Sequence, residues 1–245
     1  MKLLIIRHAE PDYSIDSLTE KGWREAELLK QRLIKREIDF FYTSPLGRAK
    51  DTAKPTLEAL GKHAEICPWL REFDGVAINT DTGKETYAWD RTPEFISRNE
   101  DYFDRRAWAE TPFIKSGDVK EKYYAVCRGL DEILARHGYV HTGTYFSVKE
   151  ENRKTIALFC HFGVECVLLS HLLNISPMAL WQGFVALPSS VTELATEERE
   201  QGIASFRCSS FGDLSHLYAG NEEPSFYARF CENYSAFDER HETSR

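Results

Sequence analysis

Apolar positions along this chain fall into two rhythms, and the switches between them mark out its elements. Leu3-Leu4-Ile5-Ile6 is a short unbroken apolar run, the mark of a strand covered on both faces. From Leu18-Thr19-Glu20-Lys21-Gly22 the spacing changes: Ala26, Leu29, Leu33 and Ile34 recur at helical intervals to about Lys35, with Thr19 placed as N-cap. Residues 38–43 read as a second strand. Ser44-Pro45 starts a second helix carrying Arg48, Ala49, Ala53, Leu57 and Leu60, and Gly61 ends it. Residues 64–67 form a short third strand closed by Pro68. This alternation predicts an α/β fold, a three-layer α/β/α sandwich around a mostly parallel central sheet.

The rhythm is then lost. From about 73 to 115, Tyr87, Trp89, Phe95, Tyr102, Phe103, Trp108 and Phe113 are scattered among Arg91, Arg98, Arg105 and Arg106 without a clean period. A stretch this long is rarely structureless inside a compact domain, so an inserted, partly helical cap is expected. Helical spacing returns over 117–137 through Tyr124, Cys127, Leu130, Ile133 and Leu134. A hairpin over 139–148 precedes the fourth main strand, Thr155-Ile156-Ala157-Leu158-Phe159-Cys160. Residues 162–173 read as helix, and Ser176-Pro177 is an N-cap and N1 pair for another. Strands over 190–196 and 203–209 follow, then a polar and aromatic tail from about 211. The expected organisation is one domain over 1–245 with an inserted cap.

Composition narrows the function classes. A net charge of −8 argues against general nucleic-acid binding, which selects basic surfaces, but leaves room for a local cationic pocket on an acidic protein. No apolar run approaches the roughly 18 residues of a membrane span, and the N-terminal run is too short for a signal peptide. Cys67, Cys127, Cys160, Cys166, Cys208 and Cys231 lack the paired spacings of a zinc site and read as buried free thiols of a cytoplasmic protein. Neither a metal nor a cofactor is implied. His63, His137, His141, His171 and His241 show no convergent pattern, and His216 reads as a structural histidine fixing the tail.

Candidate chemistry sits where two apolar strands stop. The first ends in Arg7-His8 and the fourth in His161, and in an open sheet such ends share a ligand-binding edge. Backbone N–H groups opening the helix after His161 add a field suited to an anion. Arg48, in the first turn of its helix, carries a planar fork suited to two phosphoryl oxygens. Together these residues point to a site that grips and attacks a phosphate.

Five blocks, LIIRHAE, LTEKG, YTSPLGRAKDTA, LREFDG and CHFG, occur in this order and resemble the histidine phosphatase superfamily, which includes cofactor-dependent phosphoglycerate mutases. The resemblance covers roughly 1–75 and 153–200. It implies that His8 is a nucleophile forming a phosphohistidine, that Arg7, Arg48 and His161 hold the phosphoryl oxygens, and that Glu72 is the general acid and base. Glu10 and Asp12, close to His8, compete for that last role, Glu10 the stronger of the two. The substrate implied is a small-molecule phosphate ester, with no nucleic acid or membrane partner. The chain departs from the family at Ala9 and Phe162, where glycine is usual. Ser14 stands where many members contact phosphate through asparagine, and Phe162 is expected to narrow the pocket. Glu72-Phe73-Asp74-Gly75 lacks the basic residues that mutases carry there. Hydrolysis of a phosphomonoester is therefore expected before mutase-type transfer or phosphate-ester binding without turnover.

Overall fold

The computed structural model describes residues 1–225 together with Asn233 and Ser235. In chain order it runs β1 (Lys2–Arg7), β2 (Pro11–Asp12), β3 (Ser17–Leu18), α1 (Glu20–Leu33), β4 (Phe40–Thr43), α2 (Gly47–Leu60) and β5 (Glu65–Ile66). Next come β6 (Val76–Ile78), β7 (Glu85–Tyr87), α3 (Pro93–Ser97), α4 (Pro112–Lys115) and α5 (Val119–Arg136). The chain continues with β8 (Tyr139–Thr142), β9 (Tyr145–Val148), β10 (Thr155–Cys160), α6 (Phe162–Leu173) and α7 (Pro177–Gly183), then β11 (Val191–Glu200), β12 (Ile203–Asp213) and α8 (Ser215–Ala219).

An eight-stranded sheet in the order β5-β4-β10-β1-β11-β12-β9-β8 forms the middle layer. The strands foreseen from the alternation, β5, β4, β10 and β1, are parallel to their neighbours, whereas every pairing from β1–β11 outward is antiparallel. The sheet is thus mixed rather than mostly parallel, because β11–β12 and β8–β9 join it as hairpins and need no crossover helix. Along β1 the side chains alternate between two cores. Leu3 and Ile5 pack with α5 and α6 on one face, and Leu4 and Ile6 with α1 and α2 on the other. Helix α6 is buried almost throughout, which is why its sequence is apolar all round.

Two boundaries carry physical information. Thr19 caps α1 as expected, accepting from the Gly22 N–H at 3.0 Å. Helix α2, by contrast, starts at Gly47 rather than at Ser44-Pro45, because the Ser44 hydroxyl is used elsewhere. The 73–115 segment holds the β6–β7 ribbon and short helices, and Phe73, Ala88, Phe95, Tyr102, Trp108 and Phe113 share the larger core with the sheet. Two of its arginines are engaged within it, while Arg105 reaches the Gly143 carbonyl and Arg106 is exposed. Arg91 lies over the rings of Phe95 and Phe113 and donates to Thr86, and Arg98 pairs with Asp81 and Glu94.

Residues from 211 onward complete β12 and form α8, which settles on α1 through Arg32–Asp213 and Lys21–Glu222 ion pairs at 3.2 and 2.6 Å. The remainder of the expected tail, with Cys231 and His241, lies outside the described residues. Cys67, Cys127, Cys160 and Cys166 are buried free thiols, but Cys208 is exposed, since its half of β12 faces solvent. Among the described residues no helix is long and apolar enough to cross a membrane.

Candidate active site

Strands β1 and β10 are paired in register, Arg7 beside Cys160, so the residues immediately after them emerge side by side. The His8 and His161 rings lie 5.0 Å apart between centroids. Both are buried, at 1% and 0% exposure, and so is Arg7 at 7%. His8 is held on three sides. Its backbone N–H donates to the Cys160 carbonyl, its carbonyl accepts from the Ser189 N–H at 3.0 Å, and its Nδ1 lies 2.7 Å from the Ala9 carbonyl. A carbonyl can only accept, so Nδ1 carries the proton and Nε2 keeps its lone pair. Burial, with Arg7 and Arg48 nearby, holds the His8 imidazole well below its ordinary pKa and therefore neutral.

His161 is set by its own partner. Ser44 Oγ accepts from the Leu46 N–H at 3.2 Å and lies 2.8 Å from His161 Nε2. A Ser44 hydroxyl that donates to Nε2 leaves the ring proton of His161 on Nδ1, and one that accepts from Nε2 leaves Nδ1 a lone pair. Burial, then His8 and the two arginines, push His161 well below its ordinary pKa.

Arg7 donates to the Ala186 carbonyl at 2.5 Å, with its guanidinium 5.7 Å over the centroid of the Phe162 ring. Arg48 donates to Asp16 at 2.6 Å and lies over Tyr13. Asp16 also accepts from the Gly47 N–H, and its carbonyl passes so close to Gly47 that a Cβ there would meet it at 1.9 Å. Two donors, Arg7 Nε and Arg48 Nε, are buried without a partner among the described residues, as is His161 Nδ1. Buried donors left unpaired cost about 1–3 kcal/mol each, so a cluster of them around a neutral imidazole is a cradle for an anion.

Glu72 completes the group. Its Oε1 accepts from the N–H groups of Phe73 and Val164 at 2.8 and 3.2 Å. Burial raises its carboxyl above the ordinary range, partly offset by Arg7 and those two amides. A Cβ on Gly163 would lie 2.7 Å from that same oxygen, so the absence of a side chain there is what lets the carboxyl rest on the start of α6. The rival Glu10 has both carboxylate oxygens occupied, by the hydroxyls of Thr19 and Ser225 at 2.7 and 2.5 Å.

Two expected binding residues sit differently. Ser14 is exposed and its hydroxyl donates to Asp12 at 2.6 Å, on the outer side of the loop that braces Arg48. Phe162 is buried beneath Arg7 in the larger core, because as the first residue of α6 its ring turns in under the guanidinium. Residues that sequence reasoning passed over complete the surroundings. Ser44 orients His161. Glu165, fully buried in the first turn of α6, accepts from Thr192 at 2.5 Å and has its pKa pushed up to about 7 by burial. A carboxylate inside CHFGVEC was a legible signal, since such apolar segments rarely carry one. His216, read from the sequence as a structural histidine, is buried with Nε2 3.1 Å from Ser189 Oγ, behind the amide that holds His8.

The family model described as histidine phosphatase superfamily (branch 1) matches residues 3–209. The chain is 29% identical over 150 residues to phosphoserine phosphatase 1 of Hydrogenobacter thermophilus, a match covering 56% of this chain and 66% of the relative. It spans less than two thirds of that relative and 40% of a second from the same organism. A Schizosaccharomyces pombe protein named "Probable phosphatase C1687.21" is 22% identical over 251 residues, 89% of this chain and 95% of that one. Among solved structures, a mutant phosphoserine phosphatase from Entamoeba histolytica in complex with phosphoserine aligns at a TM-score of 0.58 with 20% identity, covering 88% of this chain and 98% of that chain. A mycobacterial glucosyl-3-phosphoglycerate phosphatase aligns at 0.55 with 21% identity, covering 86% and 98%. These structural likenesses establish the shared fold.

Proposed function

The chain belongs to the histidine phosphatase superfamily, and from that premise we propose that it hydrolyses small-molecule phosphomonoesters through a phosphohistidine on His8. The observation that carries this reading is the set of unpartnered buried nitrogens on Arg7, Arg48 and His161 around an imidazole whose proton is committed to Ala9. His8 Nε2 attacks phosphorus as the ester oxygen departs with the proton of Glu72. The carboxylate left behind then takes a proton from water, the water oxygen displaces His8, and inorganic phosphate leaves. In this reading charge spread over the phosphoryl oxygens is met by the arginine donors beside His8, so a metal ion is not required for that task. A raised carboxyl pKa suits an acid that must first donate.

Hydrolysis is favoured over mutase-type transfer by the two residues C-terminal to Glu72. Phe73 stacks on Trp181 at 5.1 Å and Asp74 pairs with Lys122 at 3.0 Å, so aromatic and acidic side chains stand where a second phosphate would call for cations. Relatives that carry the names of phosphoserine and glucosyl-3-phosphoglycerate phosphatases support a small phosphorylated metabolite as substrate. Cytoplasmic residence is part of the same proposal.

A phosphate-release screen over phosphorylated metabolites, with the His8→Ala variant as blank, tests the reading. It is paired with an alkaline denaturing quench to trap an acid-labile, alkali-stable phosphoryl label on the chain. Turnover that disappears with His8, and a label absent from that variant, are expected. Release that persists in His8→Ala for every substrate turned over would overturn it, as would interconversion of monophosphoglycerates without net release.

A further inference from the structure

At the far end of α6 a second pair of histidines converges, on elements remote in sequence. Asp131 lies on α5, His141 on β8 and His171 near the end of α6. Their candidate ligand atoms all lie within 4.8 Å of one another, a grouping that sequence spacing did not show. His171 Nε2 is 2.8 Å from one Asp131 oxygen, and His141 Nδ1 is 3.8 Å from the other. The two imidazole centroids are 4.3 Å apart.

The local fold accounts for the convergence. Strands β8 and β9 turn at Gly143, whose φ of 68° suits a residue without a side chain. The carbonyl of the neighbouring Thr144 accepts from Asn174 Nδ2 at 3.0 Å, clipping the tip of the hairpin to the end of α6. Asn174 comes three positions after His171 and so shares its side of the helix. His141 is carried to that side by the clip, and α5 supplies the carboxylate from beneath.

We propose that Asp131, His141 and His171 bind one first-row divalent metal ion, Zn2+ foremost, which staples the β8–β9 hairpin to α5 and α6. Two imidazoles and one carboxylate form a borderline donor set of the kind Zn2+ takes with a fourth position open to water. At zinc–ligand distances near 2.1 Å, tetrahedral donors sit roughly 3.4 Å apart. The separations of 2.8 and 3.8 Å, to the two different oxygens of Asp131, lie on either side of that value, and the ligand atoms all lie within 4.8 Å, so side-chain rotations draw the three donors onto one ion. In the metal-free arrangement His141 Nδ1 is beyond hydrogen-bond reach of the carboxylate, and the metal supplies the bond that this geometry leaves unmade. All three side chains are partly exposed, between 11% and 30%, which gives an ion an entry path. The site is separate from the proposed reaction centre: His161 and His171 are ten positions apart along α6, about 15 Å of helix.

Zn2+ titration of the metal-stripped full chain against a chromophoric chelator tests the proposal, with Co2+ as a spectroscopic probe. One equivalent should bind, with a visible Co2+ band typical of a low-coordinate nitrogen and oxygen site and a rise in melting temperature. All three should persist in His8→Ala. Each of Asp131→Asn, His141→Ala and His171→Gln should weaken binding at least about tenfold. His141→Ala is decisive if the others fold poorly, since no hydrogen bond joins that side chain to Asp131 and only its ring contacts with Phe146 and His171 are lost. Binding unchanged in His141→Ala, binding lost in His8→Ala, or no stoichiometric binding by the parent would each overturn the proposal. Phosphate release should be the same with and without chelator in the parent and in His141→Ala, so failure here leaves the proposed hydrolase chemistry standing.

Discussion

The two ends of α6 each present a histidine, and they are built on opposite electrostatic plans. At the N-terminal end His161 is fully buried, partnered by a hydroxyl, and surrounded by Arg7 and Arg48. At the other end His171 is partly exposed and partnered by the Asp131 carboxylate. Cationic neighbours keep an imidazole neutral and leave donors free for an anion. A carboxylate neighbour leaves a cluster of lone pairs for a cation. The helix backbone reinforces both, since its N-terminus favours negative charge and its C-terminus positive. One rod of the fold thus places two similar side chains in opposite electrostatic surroundings by the groups packed around each.

The contrast breaks most decisively at His8. Its replacement by Ala should cost roughly 10⁴- to 10⁶-fold in kcat for phosphate release, read in a steady-state assay, if that end of the helix serves a covalent step. Glu72→Gln comes next, at about 10²- to 10⁴-fold, and the pH profile is the sharper readout. Activity needs Glu72 protonated, so it should fall as pH rises through that raised pKa, and the variant should lose this alkaline limb. It also needs His8 neutral, so the acid limb should lie below the ordinary imidazole range in both proteins. His161→Ala should cost roughly 10²- to 10³-fold in kcat, the scale of one lost charge-stabilising donor.

Glu165 tests the N-terminal plan through stability instead. Its folded pKa of about 7 exceeds the ordinary carboxyl value of 4.5, so its contribution to stability is complete below 4.5 and is lost as pH rises through 7. Replacement by Gln should remove a loss on the order of 3 kcal/mol, and its melting-temperature advantage should grow between pH 5 and pH 8. Glu25, also pushed up to about 7 by burial, remains in the variant and keeps part of the slope. Smallest of all, His141→Ala should leave kcat unchanged; a fall there would collapse the distinction between the two ends.

The part of the fold legible in the sequence is the part built from local rhythm. Strands β1, β4, β5 and β10 and helices α1, α2, α5 and α6 announce themselves because burial on a sheet or a helix face imposes its own period. The mixed character of the sheet does not, since whether a strand joins parallel or antiparallel depends on the far side of the molecule. In the site, Arg7, His8, Arg48, Glu72 and His161 were legible as strand ends, a helix start and ordered motifs. Ser44 was read as a helix start, but tertiary packing gives its hydroxyl to His161. Ser14 occupies a matching position, yet Asp12 holds its hydroxyl outward. His141 and His171 carried no shared signal, being brought together only by the hairpin and the Asn174 clip.

Gly163 places a practical lever within this arrangement. Because the carboxyl of Glu72 rests close to where a methyl group would stand, Gly163→Ala would act as a wedge that displaces the proposed acid without altering a single charge in the cradle. An enzyme so wedged would still capture its ester and stall on it. That makes a trap, able to fish an unknown substrate out of a mixture of metabolites.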